Sequence, residues 1–318
     1  ATDRFGAKRV ALAGLLLAAA ASLLAGFSSN FPMLIALRIV EGIGYTLLVV
    51  AATVLAVAVV PGRTALALSV WSSFAPIGFA LGQWAAAYAG DPPLQVVGAT
   101  HAAILALAAI ALYLAVEPVA PREKSVSGAL RHAPALWTAA AFGGVCAVLI
   151  ASIALAPVVL ASRSGLSVAH VASLTALAAL PAIVGRIAPG WLLERGFAAF
   201  SVFAAASALG AVTIAAALLA PLPLAVAIVL FGAFQILAGV LPGLLSAMLP
   251  RVAPTPAQLG TVSGMCSQAV NMGNLIGPPL ALAVYAAAGT GAAILMLIVL
   301  LGASALAIAR LSVFRQAI

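Results

Sequence analysis

Long apolar stretches separated by short polar turns fill almost the whole chain. Each is within or above the range of about 17–25 residues that a helix needs to cross a bilayer. We count ten of them, at 10–27, 33–60, 66–88, 99–116, 136–161, 168–192, 198–220, 223–248, 258–288 and 291–310. They are rich in Ala, Leu and Val and lack the alternation of apolar and polar residues that is typical of membrane β-strands. The pattern predicts an all-α integral membrane protein with ten transmembrane helices.

The composition agrees with a protein embedded in a lipid bilayer. Of the 318 residues, 65% are hydrophobic and 6% are charged, and the mean hydropathy is +1.27. A water-soluble protein carries about 25% charged residues, so this chain could not cover a water-facing surface. The net charge of +8 is therefore interpreted as loop charge that sets orientation, and we expect no nucleic-acid partner.

The basic residues predict the orientation of the chain. Eleven of the fourteen Lys and Arg fall in alternate loops: Arg4, Lys8, Arg9, Arg63, Arg122, Lys124, Arg131, Arg195, Arg251, Arg310 and Arg315. The opposite set of loops holds only Arg163, and two further arginines, Arg38 and Arg186, fall within spans. Because cytoplasmic loops are enriched in Lys and Arg, we expect both termini on the cytoplasmic side.

The chain also contains an internal repeat. The polar segment 118–135 separates four predicted helices, in an N-terminal bundle at 1–117, from six in a C-terminal bundle at 136–318. "DRFGAKRV" (3–10) and "GWLLERGFAAF" (190–200) occupy equivalent places, each before a new span. Repeats that run in the same direction indicate two bundles related by an axis along the membrane normal. Two helices precede the second copy and none precedes the first, so we expect a 6 + 6 protein that lacks its first two helices.

This organisation resembles the major facilitator superfamily. The loop motif of that family, G-x-L-a-D-R-x-G-R/K-K/R, is similar to the first copy at Asp3, Arg4, Gly6, Lys8 and Arg9. A degenerate second copy contains Gly190, Glu194, Arg195 and Gly196. The resemblance implies a conformational gate that locks the two halves together in the outward-open state. It also implies that residues 1–117 correspond to helices 3–6 of the family and residues 136–318 to helices 7–12. The implied location is a bacterial inner (plasma) membrane.

A second motif places charge inside a span. "LIALRIVEGIGYT" (34–46) is similar to the family's fourth-helix pattern, with Arg38 and with Glu41 where Gln is usual. Arg38, Glu41 and Tyr45 share a helical face, and Gly42 and Gly44 are expected to permit close helix packing. The resemblance implies that Arg38 takes part in proton coupling, while the alternative is a structural ion pair. Ions are costly in lipid, so both charges should point into the protein.

Other polar side chains within the spans could line a cavity or bond one helix to another. The candidates are Trp71, Gln83, Gln235, Gln268, Asn271 and Asn274. Arg186 lies near a helix end and is expected to extend its charge towards the membrane surface. His101, His132 and His170 fall at span ends or in loops without metal-ligand spacing, and Cys146 and Cys266 are expected to be buried, unbridged side chains. We therefore expect no metal and no cofactor.

These features predict a secondary active transporter that moves a small molecule by alternating access, with protons as the coupling ion. No phosphate-binding loop motif is present. The alternatives are a complete ten-helix carrier of another family, a membrane protein that does not transport, and an intramembrane enzyme. An enzyme would need a base beside Glu41, and no histidine is expected to face it. Symport and antiport both stay open, because "GNLIGPPLA" (273–281) resembles the antiporter motif but lies in a different helix.

Overall fold

The computed structural model describes residues 2–60, 62–74, 77–78, 81, 92–117, 131–311 and 314, with the backbone alone at residues 3 and 4. The described residues are mainly α-helical, as the apolar pattern predicts. The helices are α1 (Thr2–Phe5), α2 (Ala7–Gly26), α3 (Phe31–Val59), α4 (Thr64–Ser72), α5 (Leu94–Ala115), α6 (Ala133–Ser164), α7 (Val168–Ala179), α8 (Ala182–Glu194), α9 (Ala199–Leu219), α10 (Leu224–Val252) and α11 (Leu259–Ala309).

Eight stretches of the described residues are long and apolar enough to cross a bilayer. They are Ala7–Gly26, Phe31–Val59, Leu94–Ala115, Ala133–Ser164, Val168–Glu194, Ala199–Leu219, Leu224–Val252 and Pro256–Ala309. The predicted segment 66–88 is described only in part, and the segments 258–288 and 291–310 fall within α11. The all-α membrane fold is confirmed, whereas the count of ten spans is not.

Helix α11 is interrupted at one glycine. Gly289 has φ 79° and ψ −178°, values outside the helical region. Residues with a Cβ rarely adopt such a positive φ, and glycine does so without steric cost. The interruption lies between the predicted segments 258–288 and 291–310.

The first compact unit is formed by three segments of chain, 1–61, 83–130 and 253–267. Within it, α2 packs against both α3 and α5. The contact between α2 and α3 includes a buried apolar cluster of Ala7, Val10, Ala11, Ala51 and Leu55. Lipid tails are as apolar as these side chains, so helices in a membrane associate through close packing of small residues. The alanines and glycines of α2 therefore determine how near its neighbours can come.

The second compact unit is also formed by three segments, 62–82, 131–252 and 268–318. Helix α10 is its centre and contacts α4, α6, α7, α8 and α9, while α4 also packs on α8. Large side chains fill this interior, among them the fully buried Phe203, Phe231 and Phe234. Residues 62–82 belong to this unit although they precede the predicted linker 118–135, and the division into two bundles stays a prediction.

Both copies of the internal repeat contain a glycine with positive φ. Gly6 follows α1 and has φ 82°, and Gly196 follows α8 by one residue and has φ 85°. Both values lie in the left-handed region that glycine alone adopts readily. The glycine common to the two motif copies is therefore required by the backbone at both places.

Candidate functional site

A carboxylate and a guanidinium form an ion pair inside α3. Arg38 Nη1 lies 2.6 Å from Glu41 Oε2, and among the described side chains this is the only ion pair between an Arg or Lys and a carboxylate. Glu41 follows the start of α3 at Phe31 by ten residues, which is about 15 Å along a helix axis. The Glu41 side chain is 13% exposed and that of Arg38 is 43% exposed. Glu41 is thus largely buried, whereas Arg38 is exposed, so the prediction that both charges point into the protein does not hold for Arg38, whose longer side chain extends outward from the pair.

A histidine from α5 binds the other side of the same carboxylate. His101 Nδ1 lies 3.2 Å from Glu41 Oε1 and 3.0 Å from Ser22 Oγ on α2. The expectation that no histidine faces Glu41 is wrong, because α5 begins at Leu94 and carries His101 two turns into the span. We call Ser22, Arg38, Glu41 and His101 the polar cluster. The sequence signal for it is a single histidine in an otherwise apolar helix.

Close packing of helix backbones holds the polar cluster in place. A Cβ added to Gly98, one turn before His101, would lie 2.6 Å from the carbonyl oxygen of Ser22. A Cβ added to Gly44, one turn after Glu41, would lie 2.7 Å from the carbonyl oxygen of Gly14. Both distances are too short for a real Cβ, so α2 can approach α5 and α3 this closely only at glycine. The three helices that carry the cluster are therefore fixed at backbone contact distance.

Only one of the two glycines in the α3 motif serves this purpose. Among the described residues, a Cβ on Gly42 would meet nothing within 4 Å, whereas Gly44 packs against α2. Of the two glycines, Gly44 is therefore the one that brings α3 close to α2, and a close approach at Gly42 stays a prediction. Tyr45, the third residue of the predicted stripe, is exposed.

In the first copy of the gate motif, Lys8 binds the end of a helix. Its Nζ donates a hydrogen bond to the carbonyl oxygen of Tyr113, at 2.8 Å, and lies 5.0 Å from the centre of the Tyr113 ring. Tyr113 belongs to the last turn of α5, where carbonyls have no helical partner. Arg9 is exposed, and the side chains of Asp3 and Arg4 lie outside the described residues. The lock between the two halves stays a prediction.

The second copy of the gate motif includes a close contact with α4. Gly190 is buried, and a Cβ there would lie 2.6 Å from Leu66 Cα. Arg195 places its guanidinium 3.4 Å from the centre of the Trp191 ring, a cation–π contact, and Glu194 is exposed. Gly190 is thus the position at which α8 and α4 come together.

Arg186 binds a neighbouring helix, and its predicted extension towards the membrane surface stays a prediction. Its Nη1 donates a 2.8 Å hydrogen bond to the carbonyl oxygen of Ser72, the last residue of α4. In a continuing helix the N–H of residue 76 would bind that carbonyl, but residue 76 is proline, which has no N–H. The guanidinium thus supplies a donor that the proline cannot, and α8 is tied to α4 through this bond.

Two of the cavity candidates are packed within the second unit. Trp71 stacks on Phe74, with 4.8 Å between the ring centres. Gln235 is 1% exposed, and its Nε2 has no hydrogen-bond partner among the described residues. Gln83 lies outside the described residues. In this conformation Gln235 is closed off from solvent, so it does not line an open cavity.

The three amides of α11 are more accessible. Gln268 and Asn271 are exposed, and Asn274 is partly buried. They follow one another at three-residue intervals, which places them along one side of the helix. These side chains keep the hydrogen-bonding capacity that a polar ligand would need.

Comparison with known proteins identifies the family. The sequence profile of the Major Facilitator Superfamily matches residues 1–254, and the chain belongs to this superfamily of membrane transporters. No curated protein matches the sequence significantly.

The fold is similar to solved structures of transporters from this superfamily. The human organic anion transporter MFSD10 (TETRAN) superposes with a TM-score of 0.79 at 17% identity, over 96% of this chain and 78% of that chain. The E. coli fucose:proton symporter FucP gives a TM-score of 0.75 at 18% identity, over 96% and 84%. A structure of FucP in the outward conformation gives 0.74 at 17% identity, over 96% and 83%.

Family membership decides between the alternatives left by the sequence. Proteins of this superfamily move small molecules across membranes and are not enzymes, so the intramembrane enzyme and the carrier of another family are both set aside. His101, the histidine beside Glu41, is therefore interpreted as part of a transporter and not of an enzyme active site.

Proposed function

We propose that this chain is a proton-coupled secondary active transporter in which Arg38 and Glu41 take part in coupling. The observation that carries the proposal is the 2.6 Å ion pair inside α3. A charge at the centre of a spanning helix costs about 2.5–3.5 kcal/mol on insertion scales. Proton binding to Glu41 would neutralise the carboxylate and weaken its attraction for Arg38. Such a change inside a span can bias one conformation of a transporter over another.

The substrate class that fits this proposal is a small organic anion or a neutral metabolite. Few ionisable groups lie within the spans, which argues against multiply charged phosphates or peptides. The amides Gln268, Asn271 and Asn274 are candidates for binding it. The named structural relatives, an organic anion transporter and a fucose:proton symporter, fall into these two classes.

We further propose a parallel two-bundle architecture with ten spans. Residues 1–117 would hold four helices and residues 136–318 six, joined by a cytoplasmic linker at 118–135. The positive φ at both Gly6 and Gly196 supports the repeat, and the interruption at Gly289 supports two spans within α11. The distribution of Lys and Arg supports cytoplasmic termini in a bacterial inner membrane. The two motif copies would act as conformational gates, one with Asp3, Arg4, Gly6, Lys8 and Arg9 and the other with Gly190, Glu194 and Arg195.

Reconstitution into liposomes that contain a pH-sensitive dye tests the coupling. A panel of small organic anions and neutral sugars is added outside, and acidification of the lumen is followed with and without a protonophore. We expect at least one compound to drive saturable proton entry with the wild-type chain, and Glu41→Gln to reduce this entry at least about tenfold, because the amide cannot bind the proton.

A matched control separates loss of coupling from loss of folding. Glu117→Gln changes an exposed carboxylate outside both the polar cluster and the gate motif and should leave proton entry unchanged. Solute uptake that ignores the proton gradient, or that continues with the same pH dependence in Glu41→Gln, would show that the Arg38–Glu41 pair is structural.

A further inference from the structure

We propose that His101 is the residue through which protons reach and leave Glu41. The inference rests on the proposed function, because it supplies the partner for the coupling carboxylate. The carboxylate of Glu41 has Arg38 at one oxygen and His101 at the other. Histidine changes its charge between about pH 5 and 8, where no other unperturbed side chain does. His101 is therefore the group of the polar cluster suited to accept and donate a proton.

The hydrogen bonds of the polar cluster are compatible with both protonation states. A neutral imidazole nitrogen either donates or accepts a hydrogen bond. With Glu41 ionised, Nδ1 carries the proton and lies 3.2 Å from Oε1, within ion-pair distance. With Glu41 protonated, its O–H donates to a bare Nδ1. The Ser22 hydroxyl, 3.0 Å from Nδ1, competes with Glu41 for the same nitrogen, because Nδ1 carries either one N–H or one lone pair; the hydroxyl can therefore hold the ring in place whenever Nδ1 is not engaged with the carboxyl group.

The transfer conserves protons and involves no redox change. A proton binds Nε2 of neutral His101 and gives an imidazolium. The Nδ1–H bond then breaks as that proton forms an O–H bond with Oε1 of Glu41. The ring returns to its neutral form with the proton on Nε2, and Glu41 becomes uncharged, so that one proton has moved inward. The reverse sequence releases it.

The relative exposure of the two side chains supports this direction. The His101 side chain is 46% exposed and that of Glu41 is 13% exposed, so the ring is the outer and the carboxylate the inner group of the pair. Among the described residues, the groups that face Nδ1 are the uncharged Ser22 of α2 and the carboxylate of Glu41 on α3, which Arg38 binds from its other side. Among these residues Glu41 is thus the one acid in contact with His101.

The alternative is that His101 only bonds α5 to α3. A pH titration followed by infrared spectroscopy distinguishes the two roles and needs no substrate. The chain contains three histidines, so a variant with His132→Asn and His170→Asn retains His101 as its single imidazole. Isotope-labelled histidine then reports the ring, and the carboxylic acid band that disappears in Glu41→Gln reports Glu41.

We expect the ring and the carboxyl bands of this variant to titrate in the same pH steps, as two interacting sites do. In His101→Asn the amide can still donate near the Nδ1 position but cannot titrate. The carboxyl titration should then become a single step, with its midpoint moved by at least about one pH unit, a tenfold change in proton affinity.

Independent titration of the ring and the carboxyl group, with no change of the carboxyl midpoint in His101→Asn, would overturn the inference. The proposed function would still hold after that result if Glu41→Gln abolished coupled proton entry. If Glu41→Gln left coupled proton entry intact, the proposed function would be wrong as well. The variant with His132→Asn and His170→Asn keeps the polar cluster intact, so its titration decides the question even if His101→Asn does not fold.

Discussion

The contrast between Gly42 and Gly44 gives a direct test of the packing that holds the polar cluster. The two glycines lie two residues apart in α3, but an added Cβ would meet nothing at Gly42 and would lie 2.7 Å from Gly14 O and 2.8 Å from Ala18 N at Gly44. Ordinary contact begins near 3.4 Å. In Gly44→Ala, α2 and α3 must therefore separate locally by about 0.7 Å, because both obstructing atoms belong to the backbone.

The size of the effect follows from two opposing terms. Replacing glycine by alanine inside a helix gains up to about 1 kcal/mol of helix stability in water, and this term is shared by both variants. Overpacking a close contact costs about 1–3 kcal/mol, and this term applies to Gly44→Ala alone. The two variants should therefore differ in unfolding free energy by about 1–3 kcal/mol, with Gly42→Ala at or above the wild-type stability.

Thermal unfolding in detergent can be followed with a thiol-reactive dye, because Cys146 and Cys266 are both free and buried and become reactive on unfolding. We expect a midpoint several degrees lower for Gly44→Ala than for Gly42→Ala. Equal midpoints, or a more stable Gly44→Ala, would refute the close packing of α2 on α3. Glu41 lies one turn before Gly44, so a separated α3 should also weaken the contact with His101.

Two further predictions concern arginines that bind helix ends. Arg186→Met removes the donor to the Ser72 carbonyl and should lower the unfolding midpoint, since a hydrogen bond to a charged group contributes about 1.5–3 kcal/mol. Arg186→Lys should recover part of this loss. An unfolding midpoint equal to wild type in Arg186→Met would contradict the assigned bond. Arg163 donates to the carbonyls of Leu218 and Ala220 at the end of α9, so Arg163→Gln should lower the same midpoint and Arg251→Gln, an exposed control, should not.

The sequence predicts the class of fold because that class depends on local composition. Apolar length and the scarcity of charge determine that the segments are helices in a bilayer. The repeated positive φ is also a local property, since a left-handed φ at Gly6 and Gly196 requires glycine whatever surrounds it. The sequence also divides the apolar run of α11 into segments 258–288 and 291–310, and Gly289 interrupts the helical backbone between them.

The composition of the candidate site depends on packing that the sequence does not reveal. His101 and Glu41 lie on different helices, and the side of α5 that faces α3 is determined by the glycine contacts of α2. The same contacts distinguish Gly44 from Gly42, which have identical side chains and differ only in direction. Arg186 was assigned to the membrane surface from its distance to a helix end, but its partner is a carbonyl far away in sequence. In these cases the sequence predicts the chemistry of each side chain but not the residue that it contacts.

The partners of the basic residues separate structural cations from the functional candidate. Lys8, Arg163 and Arg186 each donate to carbonyls at the C-terminal end of a helix, where backbone groups lack helical partners and the helix dipole favours positive charge. Those three interactions stabilise helix ends whatever the protein transports. Arg38 instead binds a carboxylate in the interior of a helix whose own backbone needs no such donor. Retaining two opposite charges there costs stability that an apolar pair would not cost. Among the described residues, the polar cluster around Glu41 is accordingly where the cost of the charges favours the proposed functional role over a structural one.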